Sequence, residues 1–286
     1  MTQEAVLAKA EAPDTRLISQ DAMAAAKEQL AEEKPVPHME PVTGRIHSLD
    51  SFSAIDGPGL RYMMFLQGCG MRCKFCSNPD TWLLHEGLET DSAAIGEKIK
   101  SVEPYLRRGG GGVTLSGGEP LLQPRFAAAI LKEAHALGLH TAIDTTGQGT
   151  KHRHWDVVLP HVDLVMLCTK SPKPDVYASL TGHDQRGMLR FAKEVAVRGI
   201  PLWLRYVMIP GMTDSDYDAE WLIKFARAHP TFEKVDLLPY HKLGVNKWEA
   251  MGMPYPLEGQ RSPSHDEAKA FAQKLRDAGL SVIVNA

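Results

Sequence analysis

Three cysteines lie on one short stretch of this chain, Cys69-Gly-Met-Arg-Cys73-Lys-Phe-Cys76, and only one other cysteine, Cys168, occurs among the 286 residues. Cysteine is the normal ligand of iron–sulfur clusters, and three thiolates spaced C-x3-C-x2-C can bind one corner of a small cuboidal cluster. One iron would then have no protein ligand, and an open metal position is where chemistry can happen. The alternative is a structural zinc site completed by a histidine or by Cys168. Zinc sites usually come as two paired half-sites, and no second half-site is visible.

The overall composition argues against several classes of partner. The chain carries a net charge of −3, so it has no basic field that would attract a nucleic acid. Its first residues are charged rather than apolar, and no uninterrupted apolar run is long enough to span a bilayer. Three clustered cysteines and one distant cysteine do not form a disulfide framework, so the thiols imply a reducing compartment. We therefore expect a soluble, cytoplasmic protein with no nucleic-acid or membrane partner.

Residues 1–43 differ in composition from the rest, being rich in Ala, Glu, Lys and Gln. Ser19 or Asp21 could cap a short helix there, which the prolines that follow would end. Because apolar positions are too sparse for a core face, we predict a mobile N-terminal extension, with a docking helix for a partner as the alternative. Residues 44–286 are predicted to form one further domain, and a hydrophobic content of 43% is ample for a sizeable core.

From Gly44 onward, short β-branched or aromatic runs alternate with helical stretches, which is typical of repeated βα units with a parallel sheet. The predicted strands are Arg61–Leu66, Gly112–Leu115, His140–Asp144, Asp163–Leu167, Leu202–Met208 and Val235–Leu238, with Leu280–Val284 as one more. The predicted helices are Ser92–Val102, Pro124–Leu137, Arg186–Val197, Asp214–Ala228 and Pro263–Ala278. Six main strands predict an α/β fold with a partial (β/α)6 TIM-like barrel, or an open curved sheet, rather than a full eight-stranded barrel.

Residues that could perform chemistry recur where the predicted strands end. The cysteines follow the first strand, Gly117-Gly118-Glu119 the second, Asp144 ends the third, Cys168-Thr169-Lys170 follows the fourth, Arg205 lies in the fifth and Tyr240-His241 follows the sixth. In parallel α/β architectures the functional face is the carboxyl end of the strands. We therefore predict a single site at this edge of the sheet, called the rim below.

Several rim residues are suited to a small polar ligand. The two glycines would let the backbone approach a ligand closely, and the Glu119 carboxylate beside them can accept a hydrogen bond from an ammonium group. Lys170 is a flexible cation that suits a carboxylate. The plain alternatives are a flexible turn for the glycines, an Asx-type turn for Asp144-Thr145-Thr146-Gly147, and a solvated surface residue for Lys170. Their shared position on the rim favours ligand binding, and the same argument extends to Arg205 and His241.

The cysteine spacing and the segment Ser116-Gly-Gly-Glu119-Pro together resemble the motifs of the radical S-adenosylmethionine (SAM) enzymes. This resemblance implies a [4Fe–4S] cluster bound by Cys69, Cys73 and Cys76, with SAM at the open iron. It also implies that Gly117, Gly118 and Glu119 hold the methionine amino group, that the backbone of Phe75 meets the adenine and that Lys170 binds the SAM carboxylate. The other residues implied for the SAM site are Ser77, Asp144, Cys168, Thr169, Arg205 and His241. Some relatives have histidine at the position of Ser77, so no role of that side chain carries over.

Two flanking segments resemble one family of these enzymes, the activases of glycyl radical enzymes. Asp56-Gly57-Pro58-Gly59 precedes the first predicted strand and resembles their D-G-P-G motif, and Leu238–Gly244 with Lys247-Trp248 resembles their C-terminal segment. The resemblance runs from about residue 44 to the end, so residues 44–286 are predicted to be a radical SAM catalytic domain. It implies reductive cleavage of SAM and removal of hydrogen from a glycine of a partner protein, whose backbone Asp56 and its loop would grip.

Chain length separates the members of this family. Activases of several other glycyl radical enzymes insert a ferredoxin-like module with extra cysteines, and this chain has no spare cysteines for one. The compact type that acts on pyruvate formate-lyase remains, and the family implies a small flavodoxin or ferredoxin as electron donor. The alternatives are an activase of another glycyl radical enzyme, a radical SAM enzyme with a small-molecule substrate, and an iron–sulfur or zinc sensor without enzymatic activity. A sensor would need the cysteines but not the other rim residues.

Besides Ser77, a second residue departs from the family pattern. Where relatives have Met-Leu-Asp before the lysine segment, this chain has Met166-Leu167-Cys168. In the family that aspartate belongs to a site beside SAM that also binds a monovalent cation. A thiol is a poor ligand for a hard cation, which prefers oxygen, so the substitution argues against a monovalent cation here. Two interpretations of Cys168 stay open, a small apolar residue at a strand end and a fourth cluster ligand in a resting state.

Overall fold

The computed structural model describes residues 41–148 and 154–285. The predicted extension at 1–43 lies almost entirely outside these ranges, so its mobility and its possible role in docking stay predictions. No helix within the described ranges combines the length and the apolar character needed to cross a bilayer.

Within the described ranges the strands form one sheet. In chain order they are β1 (Thr43–Ser53), β2 (Arg61–Leu66), β3 (Leu88–Asp91), β4 (Gly112–Gly117), β5 (His140–Thr145), β6 (Leu164–Cys168), β7 (Leu202–Met208), β8 (Phe232–Pro239) and β9 (Val282–Val284). In space their order is β3-β1-β2-β4-β5-β6-β7-β8-β9. All pairs from β2 to β9 are parallel, whereas β1 pairs antiparallel with both β2 and β3.

The described α-helices are α1 (Ser92–Arg108), α2 (Pro124–Ala136), α3 (Trp155–Val158), α4 (Pro174–Thr181), α5 (Arg186–Val197), α6 (Asp216–Ala228), α7 (Val245–Ala250) and α8 (His265–Asp277). At the start of three of the longer helices, a side chain accepts a hydrogen bond from a free backbone N–H group of the first turn. Asp91 caps α1, and Ser215 and Ser264 form capping boxes at the starts of α6 and α8. These caps explain why the helices begin where they do.

The two faces of the sheet are covered differently. Val113, Ile143 and Val165 belong to a large core that includes the buried faces of the helices. Successive side chains of a strand point to opposite faces, so Ala142, Met166 and Trp203 occupy the other, inner face. There they form a small separate apolar cluster with Leu164. Two residues further along the same three strands, toward the rim, the inner face carries Asp144, Cys168 and Arg205. The inner face therefore carries a polar layer near the rim and an apolar layer further from it.

Most of the regular elements follow the predicted pattern. The bounds of β2, β7 and α5 agree with it, and those of the other parallel strands differ by up to three residues. Strands β1 and β3 are absent from the predicted set, because Leu88-Glu-Thr-Asp91 has a single apolar residue and carries no alternation. β3 forms at the edge of the sheet by pairing with β1, with Thr43 opposite Asp91 and Ile46 opposite Leu88. The short helices α3, α4 and α7 were also not predicted.

Candidate active site

The cysteine loop, residues 67–78, leaves the carboxyl end of β2 and is held from two sides by backbone hydrogen bonds. On one side Cys69 N donates to Trp82 O at 3.1 Å, and on the other Arg72 N donates to Thr181 O at 3.0 Å, at the end of α4. All four cysteines of the chain lie in the described ranges, and each is a free thiol. The loop thus presents three thiols from a backbone that its neighbours hold in place.

The glycine segment after β4 packs directly on the cysteine loop. Glu119 N donates to Gly68 O at 2.8 Å. A Cβ at Gly118 would lie 2.1 Å from Gly68 O and 3.3 Å from the Cβ of Cys69, so a larger residue has no room. Gly117 has a φ of +104°, a conformation that favours glycine. The structure therefore brings together the two strongest motifs of the sequence.

Burial controls the ionisation of the clustered thiols. It raises the pKa of Cys76 to about 11 and raises the pKa values of Cys69 and Cys73 as well. Negative charge on Cys73 raises the pKa of both other thiols further, which shows that the three sulfurs are near one another. Positive iron bound by these sulfurs would offset the unfavourable charge, since metal binding displaces thiol protons. The donor chemistry of the loop therefore fits a [4Fe–4S] cluster.

No group of three His, Cys, Asp or Glu side chains in the described ranges surrounds a point that one metal ion could occupy. The three clustered cysteines are included in this statement. A mononuclear zinc site requires such convergence, whereas in a cuboidal cluster each cysteine binds a different iron.

The buried Glu119 side chain accepts four hydrogen bonds from the protein. Oε1 accepts from Thr145 Oγ1 at 2.5 Å and from Leu121 N at 3.2 Å, and Oε2 accepts from Thr146 N and Oγ1 at 2.9 and 2.6 Å. Desolvation raises the pKa of this carboxyl group. Glu119 thus fastens the end of β4 to the end of β5. A ligand ammonium group at this segment would meet its backbone rather than this occupied carboxylate.

Arg205 on β7 is the centre of an ionic network on the inner face. Its guanidinium lies 2.8 Å from Asp144, 3.3 Å from Asp56 and 3.0 Å from Asp236. Burial alone would lower the pKa of Arg205, but the three carboxylates raise it above its usual value. Desolvation raises the pKa of the fully buried Asp236 to about 6. Because Arg205 already faces three protein carboxylates, its effect on a ligand would pass through Asp144.

The loop that carries Asp56 is anchored by Arg61 at the start of β2. The fully buried Arg61 donates from Nε to Thr114 Oγ1 at 2.8 Å, and the same hydroxyl donates to Asp56 O at 2.8 Å. Burial lowers the pKa of Arg61 to about 10. Gly59 has a φ of +67°, and a Cβ there would lie 2.3 Å from Gly110 O. Close packing thus holds the Asp56–Gly59 loop next to the Arg205 network.

Lys170 has no such partner. Its Nζ makes no hydrogen bond or ion pair with any residue that the structure describes, and lies 5.4 Å from the centre of the Phe75 ring. Among the described non-glycine residues it alone has a positive φ, +50°. Burial alone would lower its pKa, but the neighbouring Cys168, Cys73 and Asp144 raise it above its usual value. A charged ammonium group beside the cysteine loop is suited to an incoming carboxylate.

Cys168, the last residue of β6, donates a hydrogen bond to Asp144. Its Sγ lies 3.3 Å from Oδ1, while Oδ2 accepts from Ser116 Oγ at 2.9 Å. Burial and the charge of Asp144 raise the pKa of Cys168 to about 12, so the thiol is protonated near neutral pH. The adjacent Thr169 is buried, and its N–H donates to Arg205 O at 3.1 Å. Neither interpretation from the sequence includes this hydrogen-bonding role of Cys168.

The C-terminal segment after β8 covers the cysteine loop. Trp248 on α7 donates from Nε1 to Cys76 O at 2.9 Å, and its ring centre lies 5.1 Å from that of Trp82. The neighbouring Lys247 forms an ion pair with Asp80 at 3.0 Å. The resemblance of this segment to the family therefore corresponds to a physical contact with the loop that would bind the cluster.

Ser77 and His241 lie where the same segment meets the loop. A Cβ at Gly244 would lie 2.6 Å from Ser77 Cα, so the two backbones are in close contact. The exposed His241 accepts a hydrogen bond at Nδ1 from Leu243 N at 3.3 Å. Desolvation by the surrounding protein lowers its pKa. His241 is thus neutral near neutral pH and accessible to a ligand.

Two charged residues of the site, Arg61 and Asp236, are missing from the predicted set. Arg61 begins the otherwise apolar β2, and Asp236 lies in the apolar run Val235–Leu238 of β8, and this is the signal that would have found them. A buried charge in such a strand requires a partner, because an unpaired ion is costly to desolvate. Which partner it finds depends on the neighbouring strands, which the sequence does not show.

Residues 63–220 match the family model of the radical SAM superfamily. The pyruvate formate-lyase-activating enzyme of Clostridium pasteurianum is 42% identical over 236 residues, which cover 82% of this chain and 98% of the relative. A solved domain of pyruvate-formate lyase-activating enzyme from Bacteroides vulgatus is 28% identical, with a TM-score of 0.51, over 62% of this chain and 99% of that domain. A radical SAM methyltransferase from Sphaerobacter thermophilus shares the fold at 19% identity and a TM-score of 0.56, over 94% and 85%.

The fold and the match to the family model define a radical SAM protein. The predicted fold class is confirmed, since β2 and β4 to β8 are the six parallel strands of a partial barrel of this type. The chain belongs to the radical SAM superfamily and, within it, to the family of pyruvate formate-lyase-activating enzymes.

Proposed function

We propose that this chain activates pyruvate formate-lyase by cleaving SAM reductively and removing a hydrogen atom from one glycine of that enzyme, which leaves a glycyl radical. One observation carries the proposal. A loop with three free thiols is in backbone contact with the Gly118–Glu119 segment and lies beside the unpartnered ammonium group of Lys170. A sensor would need only the thiols. The glycine contact and the free cation are useful only if a second, polar ligand binds next to the cluster.

The residues of the chain would orient the two cofactors. The three loop cysteines would hold a [4Fe–4S] cluster, and the backbone of Gly117–Glu119, the ammonium group of Lys170 and the backbone of Phe75 would hold SAM by its amino group, carboxylate and adenine. When bound and reduced, the cluster and SAM together supply a carbon-centred radical that can remove the glycine hydrogen. Ser77, Asp144, Thr169 and His241 complete the proposed SAM site, on which Arg205 and Cys168 act through Asp144.

Asp56 is proposed to bind the backbone of the partner's glycine loop. Of the three carboxylates around Arg205 it is the most exposed, with 18% of its side chain accessible, and it has the longest ion pair. Its Oδ2 accepts from Ser53 Oγ at 2.6 Å, which keeps the carboxylate oriented. We expect Asp56→Ala to cleave SAM at the parent rate without a partner but to activate the partner at least tenfold more slowly, because a backbone N–H group loses its acceptor. Activation at the full rate would contradict this role.

A small flavodoxin or ferredoxin is proposed as the electron donor. Arg72 is an exposed cation of the cysteine loop itself, although the chain as a whole is acidic. Arg72 donates to Cys69 O at 2.8 Å, so a carrier seated on it would be one residue from a cluster ligand. Complementary charge speeds association and makes it sensitive to salt. Added salt should therefore slow SAM cleavage driven by the carrier but not cleavage driven by dithionite.

The cytoplasm is proposed as the compartment. The four cysteines are free thiols, and an oxidising compartment would convert neighbouring thiols to disulfides. The proposed chemistry also needs a reducing electron donor.

The test of the proposed function is anaerobic reconstitution of the protein with iron and sulfide, followed by SAM, reductant and pyruvate formate-lyase. The expected result is SAM cleavage together with a glycyl radical signal in electron paramagnetic resonance. Cys73→Ala is the matched control and should give neither. If SAM is cleaved but the glycyl radical signal appears only on another glycyl radical enzyme, that enzyme is the partner instead of pyruvate formate-lyase. If SAM is not cleaved, the enzyme class is rejected in favour of a sensor.

A further inference from the structure

The carboxylate of Asp144 accepts three hydrogen bonds from protein donors. Oδ1 accepts a hydrogen bond from the Cys168 thiol at 3.3 Å. Oδ2 accepts hydrogen bonds from Ser116 Oγ at 2.9 Å and from the Arg205 guanidinium at 2.8 Å. Each oxygen therefore already faces a proton. Only one acceptor position, on Oδ1, remains free, so a bound cation would have to share that oxygen with the thiol proton of Cys168.

The charges around Asp144 also disfavour a further cation. The Arg205 guanidinium lies against the same oxygen, and the unpartnered ammonium of Lys170 is close enough for Asp144 to raise its pKa. The two other carboxylates of the network, Asp56 and Asp236, are themselves paired with Arg205. Positive charge is thus already supplied by fixed side chains, and a mobile ion would be repelled by both of them.

The atom that faces Asp144 from β6 is a sulfur that carries a proton. A hard monovalent cation prefers oxygen ligands, and a neutral thiol has little affinity for it. The family aspartate at this position would present acceptor oxygens, whereas Cys168 presents a donor. The residues present here therefore do not fit the cation that the family implies. They fit a closed hydrogen-bonded arrangement in which the thiol and the guanidinium hold Asp144.

We propose that Cys168 and Arg205 together take the place of the monovalent cation in this chain, so that Asp144 is held in position and SAM binds without any requirement for K⁺ or Na⁺. Both are positioning residues, since neither needs to touch SAM for this role. The inference rests on the proposed function, because it takes SAM as the ligand of the rim.

The test compares the reconstituted parent protein in KCl, NaCl and tetramethylammonium chloride at equal ionic strength. SAM affinity, measured by calorimetry, should agree within about twofold in the three salts, because no ion is taken up on binding. The melting temperature without SAM should agree within about 1 °C for the same reason. SAM affinity at least fivefold higher in K⁺ or Na⁺, or a melting temperature clearly raised by either ion, would overturn the inference. Failure to bind SAM in every salt would count against the proposed function instead, and the melting temperatures would still test this inference.

Two variants sharpen the test. Cys168→Asp puts a second carboxylate against Asp144, so SAM affinity should fall about tenfold in tetramethylammonium and recover in K⁺ or Na⁺, which can bridge the two groups. Cys168→Ser is the matched control, because its hydroxyl can still donate to Asp144, and it should remain insensitive to the ion. Parent-like affinity of Cys168→Asp in all three salts would overturn the inference, as would ion dependence of Cys168→Ser. If the aspartate variant does not fold, the parent and the serine variant decide.

Discussion

Two cations of the rim, Arg205 and Lys170, stand in opposite surroundings. Arg205 faces three carboxylates within 3.3 Å, and each of these is fastened to a different part of the fold. Lys170, two residues after the end of β6, makes no ion pair or hydrogen bond with any described residue, although nearby negative groups hold its pKa above the usual value. The charge of Arg205 is thus paired within the protein without a ligand, whereas the charge of Lys170 is not.

This difference assigns different tasks to the two regions. A paired charge network loses little when a ligand binds and keeps its geometry, so the Arg205 side can position Asp56 and Asp144 in advance. The Lys170 ammonium group has no hydrogen-bond or ion-pair partner among the described residues, so an incoming carboxylate can bind it without displacing one. The contrast therefore predicts that changes on the Arg205 side reduce stability, whereas changes at Lys170 reduce ligand binding.

The largest effect is expected for Arg205→Leu. Removing the guanidinium leaves three carboxylates on the inner face without a cation, and we expect a loss of about 3–5 kcal/mol in the free energy of unfolding. Guanidinium chloride titration would measure it. Arg205→Lys, which keeps the charge but not the fork of donors, should lose less. A leucine variant within about 1 kcal/mol of the parent would show that the network is not a stabilising unit.

Asp236→Asn tests the same network through pH. The pKa of Asp236 is raised by desolvation from 3.8 to about 6, so between these values the folded protein keeps a proton that the unfolded chain has released. The free energy of unfolding should therefore fall as pH rises from about 4 to 6, by at most about 3 kcal/mol from this group. The asparagine variant should show a flatter profile over that window in urea titrations at fixed pH. An unchanged slope would exclude Asp236 as its source.

Lys170→Met and Lys173→Met form a matched pair three residues apart. Lys173 is an ordinary paired lysine, 2.8 Å from the buried Asp218. We expect Lys170→Met to weaken SAM binding by about 1.5–3 kcal/mol, the value of a hydrogen bond to a charged group, with little change in stability. Lys173→Met should lower stability and leave SAM affinity unchanged. Calorimetry and thermal unfolding of both variants would decide, and the reverse assignment would break the contrast between the regions.

The smallest effect is expected for Cys168→Ser. Its hydroxyl can replace the thiol as donor to Asp144, so the free energy of unfolding should change by less than about 1 kcal/mol. The absorption and electron paramagnetic resonance spectra of the resting cluster should match those of the parent. A changed cluster spectrum would revive Cys168 as a fourth ligand of the cluster, which the sequence left open.

Local patterns in the sequence were sufficient for much of the fold. The apolar runs of β2 and β7 and the amphipathic α5 are recognisable without a partner, and their bounds agree with those observed. Strands β1 and β3 are not recognisable, because polar segments such as Leu88-Glu-Thr-Asp91 become strands only when a neighbour offers hydrogen bonds. The same limit applies to Glu119, whose type and position suggest a ligand contact but whose oxygens are occupied by β5 in the structure.

By itself, the sequence determined the cysteine loop, the order of the βα units and the alignment of polar residues on one rim, because spacing and periodicity are local properties of the chain. Only the tertiary structure decided which of those polar residues are satisfied. Arg205 finds carboxylates from the Asp56 loop, β5 and β8, while Lys170 finds none among the described residues. Such pairings join residues up to 149 positions apart, so they depend on how the strands are placed side by side rather than on any local pattern.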